Sequence, residues 1–152
     1  MSGVFIDKIF DGLPYSVNRA YKTRYKTGAI YMDPACEAWK ERITGLFRFE
    51  ATQEMRQSPL FTVRVLLLMD YLRFQKGVGY LVKHGVVDTS NVVKILEDAL
   101  EAAFQINDKR NRRIVVECLH KPDLKEGLTR VTVARLPIER VLDWERFYEG
   151  LN

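Results

Sequence analysis

Apolar positions divide the chain into segments that alternate with the period of a strand and segments that repeat with the period of a helix. Alternation predicts strands over residues 4–10 and 61–71, the second of them long and largely buried. Two more strands are predicted over residues 113–119 and 128–136. The turn-rich segment that joins these two favours an antiparallel hairpin.

Helical spacing predicts three helices. Asp33 as a cap and Pro34 in the first turn start one helix, which runs to about residue 49 or beyond and ends before Ser58 and Pro59. A second, amphipathic helix is predicted over residues 89–104. Its apolar arc contains Val92, Ile95, Leu96, Ala99, Leu100 and Ala103. Its opposite, polar arc contains Asn91, Lys94, Asp98, Glu101 and Gln105. A short closing helix is expected within residues 137–148.

This order of elements predicts one α+β domain over residues 1–152, with a mixed sheet and a long central amphipathic helix. A length of 152 residues suits a single domain with a real core. Hydrophobic residues make up 47% of the chain and charged residues 29%, which is the composition of a globular protein.

Charge and composition narrow the function classes. The formal net charge of +4 favours a polyanionic partner without requiring one. The two cysteines have no CxxC spacing and the chain has two histidines, so a zinc site or a histidine-based triad is not expected. The apolar stretch over residues 60–72 is interrupted by Arg64 and Asp70, so no membrane span is predicted. We expect a cytoplasmic protein.

The segment over residues 13–28 mixes basic and aromatic side chains. Its cations are Arg19, Lys22, Arg24 and Lys26, and tyrosines lie between them. Such a mixture can bind a phosphate backbone and stack rings on bases. A solvated loop whose tyrosines cover the edge of the core would have the same composition, and the two interpretations remain open.

Acidic and basic residues also flank the amphipathic helix. Asp88 precedes it and Asp108 follows it, and taken singly they fit a helix cap and a turn residue. Lys94 and Asp98 likewise fit a surface ion pair. Together, however, two carboxylates and a lysine are what a Mg²⁺-dependent phosphodiester hydrolase needs. A basic run that can bind phosphate follows at once, and it contains Lys109, Arg110, Arg112 and Arg113.

The helix and its flanks resemble the RusA-type Holliday-junction resolvases. The resemblance rests on two segments, residues 88–100 followed by 104–108, and residues 13–19 with their proline, serine, asparagine and arginine. It implies a RusA-like fold, a homodimer, branched DNA such as a four-way junction as substrate, and Mg²⁺ as cofactor, with Mn²⁺ as an alternative.

By position, the resemblance makes Asp88 and Asp108 metal ligands and Lys94 the catalytic lysine. It leaves Ser90, Asn91 and Asp98 as further candidate ligands, and it adds Asn18 to the candidate DNA-binding residues of the N-terminal segment. Ser90 and Asn107 stand where this family often has acids, and both are weaker metal ligands than carboxylates.

The length of the helix constrains such a site. A helix over residues 89–104 separates its ends by roughly 23 Å. The few residues from Phe104 to Asp108 span at most about 13 Å. Asp88 and Asp108 of one chain therefore should not share a metal ion. An antiparallel, two-fold packing of these helices would bring Asp88 of one protomer to Asp108 of its partner.

The sequence thus predicts a Mg²⁺-dependent, structure-selective endodeoxyribonuclease of recombination or repair. The first alternative is a non-catalytic protein of the same fold that binds branched DNA. The second is a small protein-interaction module without DNA affinity, which would lack the steep salt dependence that phosphate contacts impose.

Overall fold

The computed structural model describes residues 3–70, 89–142, 145–146 and 149. These residues form both strands and helices, and the labels below follow chain order. The strands are β1 (Val4–Asp11), β2 (Tyr21–Thr23), β3 (Ile30–Met32), β4 (Phe61–Met69), β5 (Asn111–His120) and β6 (Leu128–Arg135). The helices are α1 (Val17–Ala20), α2 (Pro34–Phe47), α3 (Gln53–Gln57), α4 (Thr89–Phe104) and α5 (Ile138–Leu142), with a 3-10 turn at Asp108–Arg110.

The main sheet has four strands in the order β1, β6, β4, β5. β6 is antiparallel to both of its neighbours, whereas β4 and β5 are parallel. The sheet is therefore mixed, and the predicted α+β class is confirmed. A parallel neighbour needs a crossover connection, and α4 lies in the segment between β4 and β5.

The predicted hairpin of the last two strands is wrong, because β4 lies between β5 and β6. Burial explains this order. β6 places Thr129, Val131 and Val133 in the core and accepts a neighbour on each side. β5 has no fully buried residue, which suits an edge of the sheet. Alternation in the sequence identified both strands but could not identify their partners.

Among the described residues, the main core lies between the sheet and two helices. Alternate residues of β4, from Phe61 to Met69, point into it, and the apolar arc of α4 packs over them. α2 packs beside α4, with Ile43 and Phe47 fully buried. The amphipathic helix predicted over residues 89–104 is confirmed at both ends, and it is the longest helix among the described residues.

Two predicted segments differ in detail from the structure, and a third is confirmed. The helix at Pro34 ends at Phe47, and a separate short helix, α3, follows with Thr52 as its cap. The segment predicted as a basic loop contains α1 and a two-stranded ribbon formed by β2 and β3. The predicted closing helix is confirmed as α5.

Asp88, residues 71–87 before it and so the last residue of the strand predicted over residues 61–71 lie outside the described residues. Among the residues that are described, no helix is both long enough and apolar enough to cross a membrane.

Candidate active site

The chain reverses direction after α4, and this reversal places Asp108 beside the helix. Gln105 has a φ of 57°, the left-handed conformation that commonly ends a helix. Ile106 then inserts its side chain into the core, with 8% of its surface exposed. Asn107 caps the 3-10 turn by accepting a hydrogen bond from the backbone N–H of Lys109 at 2.9 Å. Asp108 therefore lies alongside α4 rather than beyond its end.

Three carboxylates meet at this point. Oxygen atoms of Asp98, Glu101 and Asp108 all lie within 4.8 Å of one another, and all three residues are partly buried. Asp98 and Glu101 are three residues apart, so they occupy the same face of α4. We call these three residues the acidic cluster. A site of this kind offers up to six oxygen atoms, from α4 and from the 3-10 turn that follows it.

Lys94 lies against the acidic cluster. Its Nζ is 2.7 Å from Oδ1 of Asp98, one helical turn away, and 3.7 Å from Oδ2 of Asp108. The hydrogen bond to Asp98 raises the pKa of the lysine, with smaller contributions from the charges of Asp98 and Asp108. Lys94 is therefore a fixed ammonium beside three acids, and more than half of its side chain is exposed.

A fourth acid, Glu97, joins the helix to the start of β5. Its Oε1 accepts a hydrogen bond from Nδ2 of Asn111 at 3.0 Å. Burial raises the pKa of Glu97, the Asn111 bond opposes that rise, and the negative charge of Asp108 adds to it. The contact holds the chain after Asp108 in register with α4.

Hydrogen bonds from two arginines to backbone carbonyls hold the chain reversal after α4 against α3. Nη1 of Arg56 donates to the carbonyl of Phe104, the last residue of α4. Nη1 of Arg110 donates in turn to the carbonyl of Arg56 at 2.8 Å and to that of Ser58 at 3.5 Å. These two arginines tie α3 to the end of α4 and to the 3-10 turn. In this conformation Arg110 is engaged with protein carbonyls, although the sequence suggested it as a DNA-binding residue.

The structure brings together three of the residues that the sequence singled out, namely Lys94, Asp98 and Asp108. It adds Glu101, which the sequence placed on the polar arc of the helix but not in the site. The spacing of Asp98 and Glu101 was the available signal, since residues three apart on a helix face one way.

The remaining predicted metal ligands are not described to the same extent. Asp88 lies outside the described residues, and Ser90 and Asn91 are described only as part of the first turn of α4. The side chains of Asn18 and Arg19, in α1, are likewise outside the described residues.

The other predicted DNA-binding residues divide by their contacts. Lys22 pairs with Asp33 at 3.2 Å, and the guanidinium of Arg24 lies 5.6 Å from the ring centre of Tyr31. The exposed cations outside these contacts are Lys26, Lys109, Arg112 and Arg113.

The acidic cluster fits a hard divalent cation. Mg²⁺ prefers oxygen ligands, usually one or two carboxylates together with waters and substrate phosphates. Here three carboxylates converge while each remains partly exposed, so water and phosphate oxygens can reach an ion between them. A small cavity of about 20 Å³ that Glu101, Asn107 and Asp108 help to line has roughly the size of one water molecule.

Comparison with known proteins agrees with this chemistry. The family model described as endodeoxyribonuclease RusA matches residues 11–134. These residues include the acidic cluster, Lys94 and three of the four strands of the main sheet, β4, β5 and all but the last residue of β6, whereas β1 lies outside the match except for Asp11. No curated protein matches the sequence. A match over most of the chain establishes the family and implies nuclease activity, and the chain therefore belongs to the endodeoxyribonuclease RusA family.

Proposed function

We propose that this chain is a Mg²⁺-dependent, structure-selective endodeoxyribonuclease that cuts Holliday junctions or related branched DNA in recombination or repair. Membership in the RusA family supports the reaction class. The observation that carries the proposal for this particular chain is the acidic cluster with Lys94 beside it.

The residues of the site have two different proposed roles. Asp98, Glu101 and Asp108 would hold Mg²⁺, with Mn²⁺ as a substitute, because their oxygens already converge. When bound, such an ion polarises the scissile phosphate and lowers the pKa of a coordinated water. Lys94 supplies a positive charge next to the phosphate, where it offsets the negative charge that develops in the transition state.

Asp88 is proposed as a further metal ligand. Thr89, the first residue of α4, is nine residues from Asp98, or about 14 Å along the helix axis. That distance is too long for Asp88 and the acidic cluster of one chain to bind a single ion. We therefore propose a homodimer in which Asp88 of one protomer completes the site of its partner, and mixing two variants tests this proposal. A dimer with two such sites suits paired cuts in a four-way junction.

The ribbon of β2 and β3 is proposed to bind DNA together with the basic residues that follow Asp108. The ring of Tyr25, between its two strands, is fully exposed, and Tyr21 and Ile30 are also exposed. Lys22, Arg24 and Lys26 accompany these apolar side chains, which is the combination expected where bases stack and phosphates bind.

Cleavage of a synthetic four-way junction tests the proposal. We expect the wild-type protein to cut the junction with Mg²⁺ and not with EDTA. Asp108→Asn should abolish cutting while leaving junction binding in EDTA intact. Glu41→Gln, an exposed acid on α2, is the matched control and should cut normally.

The same assay separates the proposal from its alternative. Ser90 and Asn107 replace acids that the family often has, and Asn107 is engaged in capping the turn. If the wild type binds the junction with a steep salt dependence but never cuts it, the chain is a non-catalytic binder of branched DNA. Mixing Asp88→Asn with Asp108→Asn tests the shared site, since mixed dimers should recover cutting at one of their two sites.

A further inference from the structure

A second feature of the structure is a groove at the edge of the sheet that four arginines line. The groove has a volume of about 430 Å³, and its lining is Arg112, Arg113, Leu136, Arg140 and Arg146. Topology explains why residues so far apart in sequence meet. β4 and β5 start at the same end of the sheet, where antiparallel β6 ends, so the chain leaving β6 toward α5 passes beside the start of β5.

An irregularity in β5 directs two arginines to this groove. Phe61 of β4 is paired with Asn111, but the next residue, Thr62, is paired with Arg113. Arg112 is therefore an extra residue in the strand, which is a β-bulge. Consecutive residues of a regular strand point to opposite faces, whereas a bulge redirects its side chains. The bulge accounts for the presence of both Arg112 and Arg113 in one groove.

These arginines differ from their neighbours in their charge partners. Within the described part of the chain, none of the four forms a salt bridge, whereas Arg135, at the end of β6, pairs with Glu54 at 3.0 Å and Arg130 pairs with Asp7 at 2.6 Å. Four like charges around one concavity repel one another unless an anion lies between them. Guanidinium groups match phosphate in geometry, since they donate two parallel hydrogen bonds to its oxygens.

We propose that this groove, the arginine groove, binds backbone phosphates of the DNA substrate outside the bond that is cut. The proposal rests on the proposed nuclease function and extends it to a second contact with the DNA. Arg112 is four residues from Asp108, so their Cα atoms are at most about 14 Å apart. That distance corresponds to about four base-pair steps at 3.4 Å each. A DNA arm that enters the acidic cluster can therefore reach the arginine groove.

The salt dependence of DNA binding in EDTA tests this proposal without relying on cleavage. Arg140→Gln combined with Arg146→Gln removes two groove cations that are distant in sequence from the acidic cluster. If each contacts one phosphate, the slope of log K against log salt should fall by about 1.8. Raising the salt concentration from 50 to 200 mM weakens DNA binding by both proteins. The factor by which the affinity falls should be about 12 times smaller for the double variant than for the wild type.

Two controls define the result. Arg130→Gln removes the same kind of charge from a side chain that is already paired with Asp7, and its slope should equal that of the wild type. Arg140→Lys with Arg146→Lys keeps both charges, so its slope should also remain near that of the wild type. A double glutamine variant whose slope is unchanged, although its circular dichroism spectrum shows it folded, would overturn the proposal.

A separate experiment distinguishes binding of DNA from binding of small anions in the arginine groove. Thermal unfolding with inorganic phosphate alone reports on a free-phosphate site. If the double glutamine variant loses stabilisation by phosphate but keeps the DNA slope, the groove is a small-anion site and the proposal fails. Failure of the nuclease proposal would appear elsewhere, as an Asp108→Asn variant that cuts like the wild type, and it would leave the slopes in EDTA unaffected.

Discussion

Replacing Lys94 by methionine is expected to strengthen metal binding while it slows cleavage. The ammonium lies 2.7 Å from a carboxylate oxygen of Asp98 and 3.7 Å from one of Asp108. It therefore lies close to the carboxylates that a metal ion would bind. Mg²⁺ binds carboxylate oxygens at about 2.1 Å, which would place an ion on these acids roughly 5 Å from Nζ. The lysine and the ion would therefore repel each other.

The size of this repulsion follows from Coulomb's law. Charges of +1 and +2 about 5 Å apart repel by roughly 1.7 kcal/mol at the dielectric constant of water, and by more in a less polar site. Removing the lysine should therefore lower the Kd for Mg²⁺ by about 10-fold or more. The stability of the metal-free protein should fall by up to about 1 kcal/mol, because the ion pairs of Lys94 are partly exposed.

Calorimetric titration with Mg²⁺ and junction cleavage measure the two effects separately. Lys94→Met should bind Mg²⁺ more tightly and yet cut about 100-fold more slowly, because the transition state loses a positive charge. Lys22→Met breaks a single pair with Asp33, far along the chain from the acidic cluster, and its Mg²⁺ affinity should not change. Unchanged or weaker Mg²⁺ binding by Lys94→Met would refute a metal site between these carboxylates.

Three further predictions concern stability, each measured by urea unfolding. Gly127→Ala should lose about 1–3 kcal/mol, because a Cβ there would overlap the side chain of Leu13; a loss below about 0.5 kcal/mol would contradict the packing. Phe104→Ala should lose about 3–5 kcal/mol, because the ring is 5% exposed and packs edge-on against Phe47; a smaller loss would mean that the end of α4 is not anchored in the core. Hydrogen bonds from Arg130 lower the pKa of Asp7 in the folded protein. The pair therefore stabilises the fold fully at pH values above the unfolded-state pKa of about 4. This stabilisation is lost as the pH falls through the lower, folded-state pKa. Asp7→Asn should therefore be less stable than the wild type at neutral pH and equally stable once Asp7 is protonated, whereas a difference that is independent of pH would contradict the pairing.

The sequence predicted best what local pattern determines. All residues of the apolar arc of α4 are buried, because an amphipathic period specifies a buried face, and the bounds of the helix match the prediction. Strand pairing depends on contacts between distant residues. For that reason β5 and β6 were identified as strands and yet wrongly joined as a hairpin.

The residues of the candidate site also differ in whether a local sequence pattern could identify them. Lys94 and Asp98 were recognisable as a pair from their spacing on one helix. The position of Asp108 beside them depends on the left-handed Gln105 and the buried Ile106, and no periodic pattern predicts such a reversal. Glu101 entered the site only through that reversal, because it becomes a candidate ligand only once Asp108 lies next to it.

The Mg²⁺ dependence of junction cleavage by Glu101→Gln, compared with the wild type and Glu41→Gln, measures whether the acidic cluster binds the metal ion. Glu101 was not among the site residues suggested by the sequence, and it belongs to the candidate site because its carboxylate converges with those of Asp98 and Asp108. Loss of groups that merely support metal ligands costs 10- to 100-fold in affinity, so loss of a ligand should raise the half-maximal Mg²⁺ concentration by at least about 10-fold. Glu41→Gln should match the wild type. Identical Mg²⁺ curves for all three proteins would show that Glu101 binds no metal ion and that the acidic cluster is not the metal site.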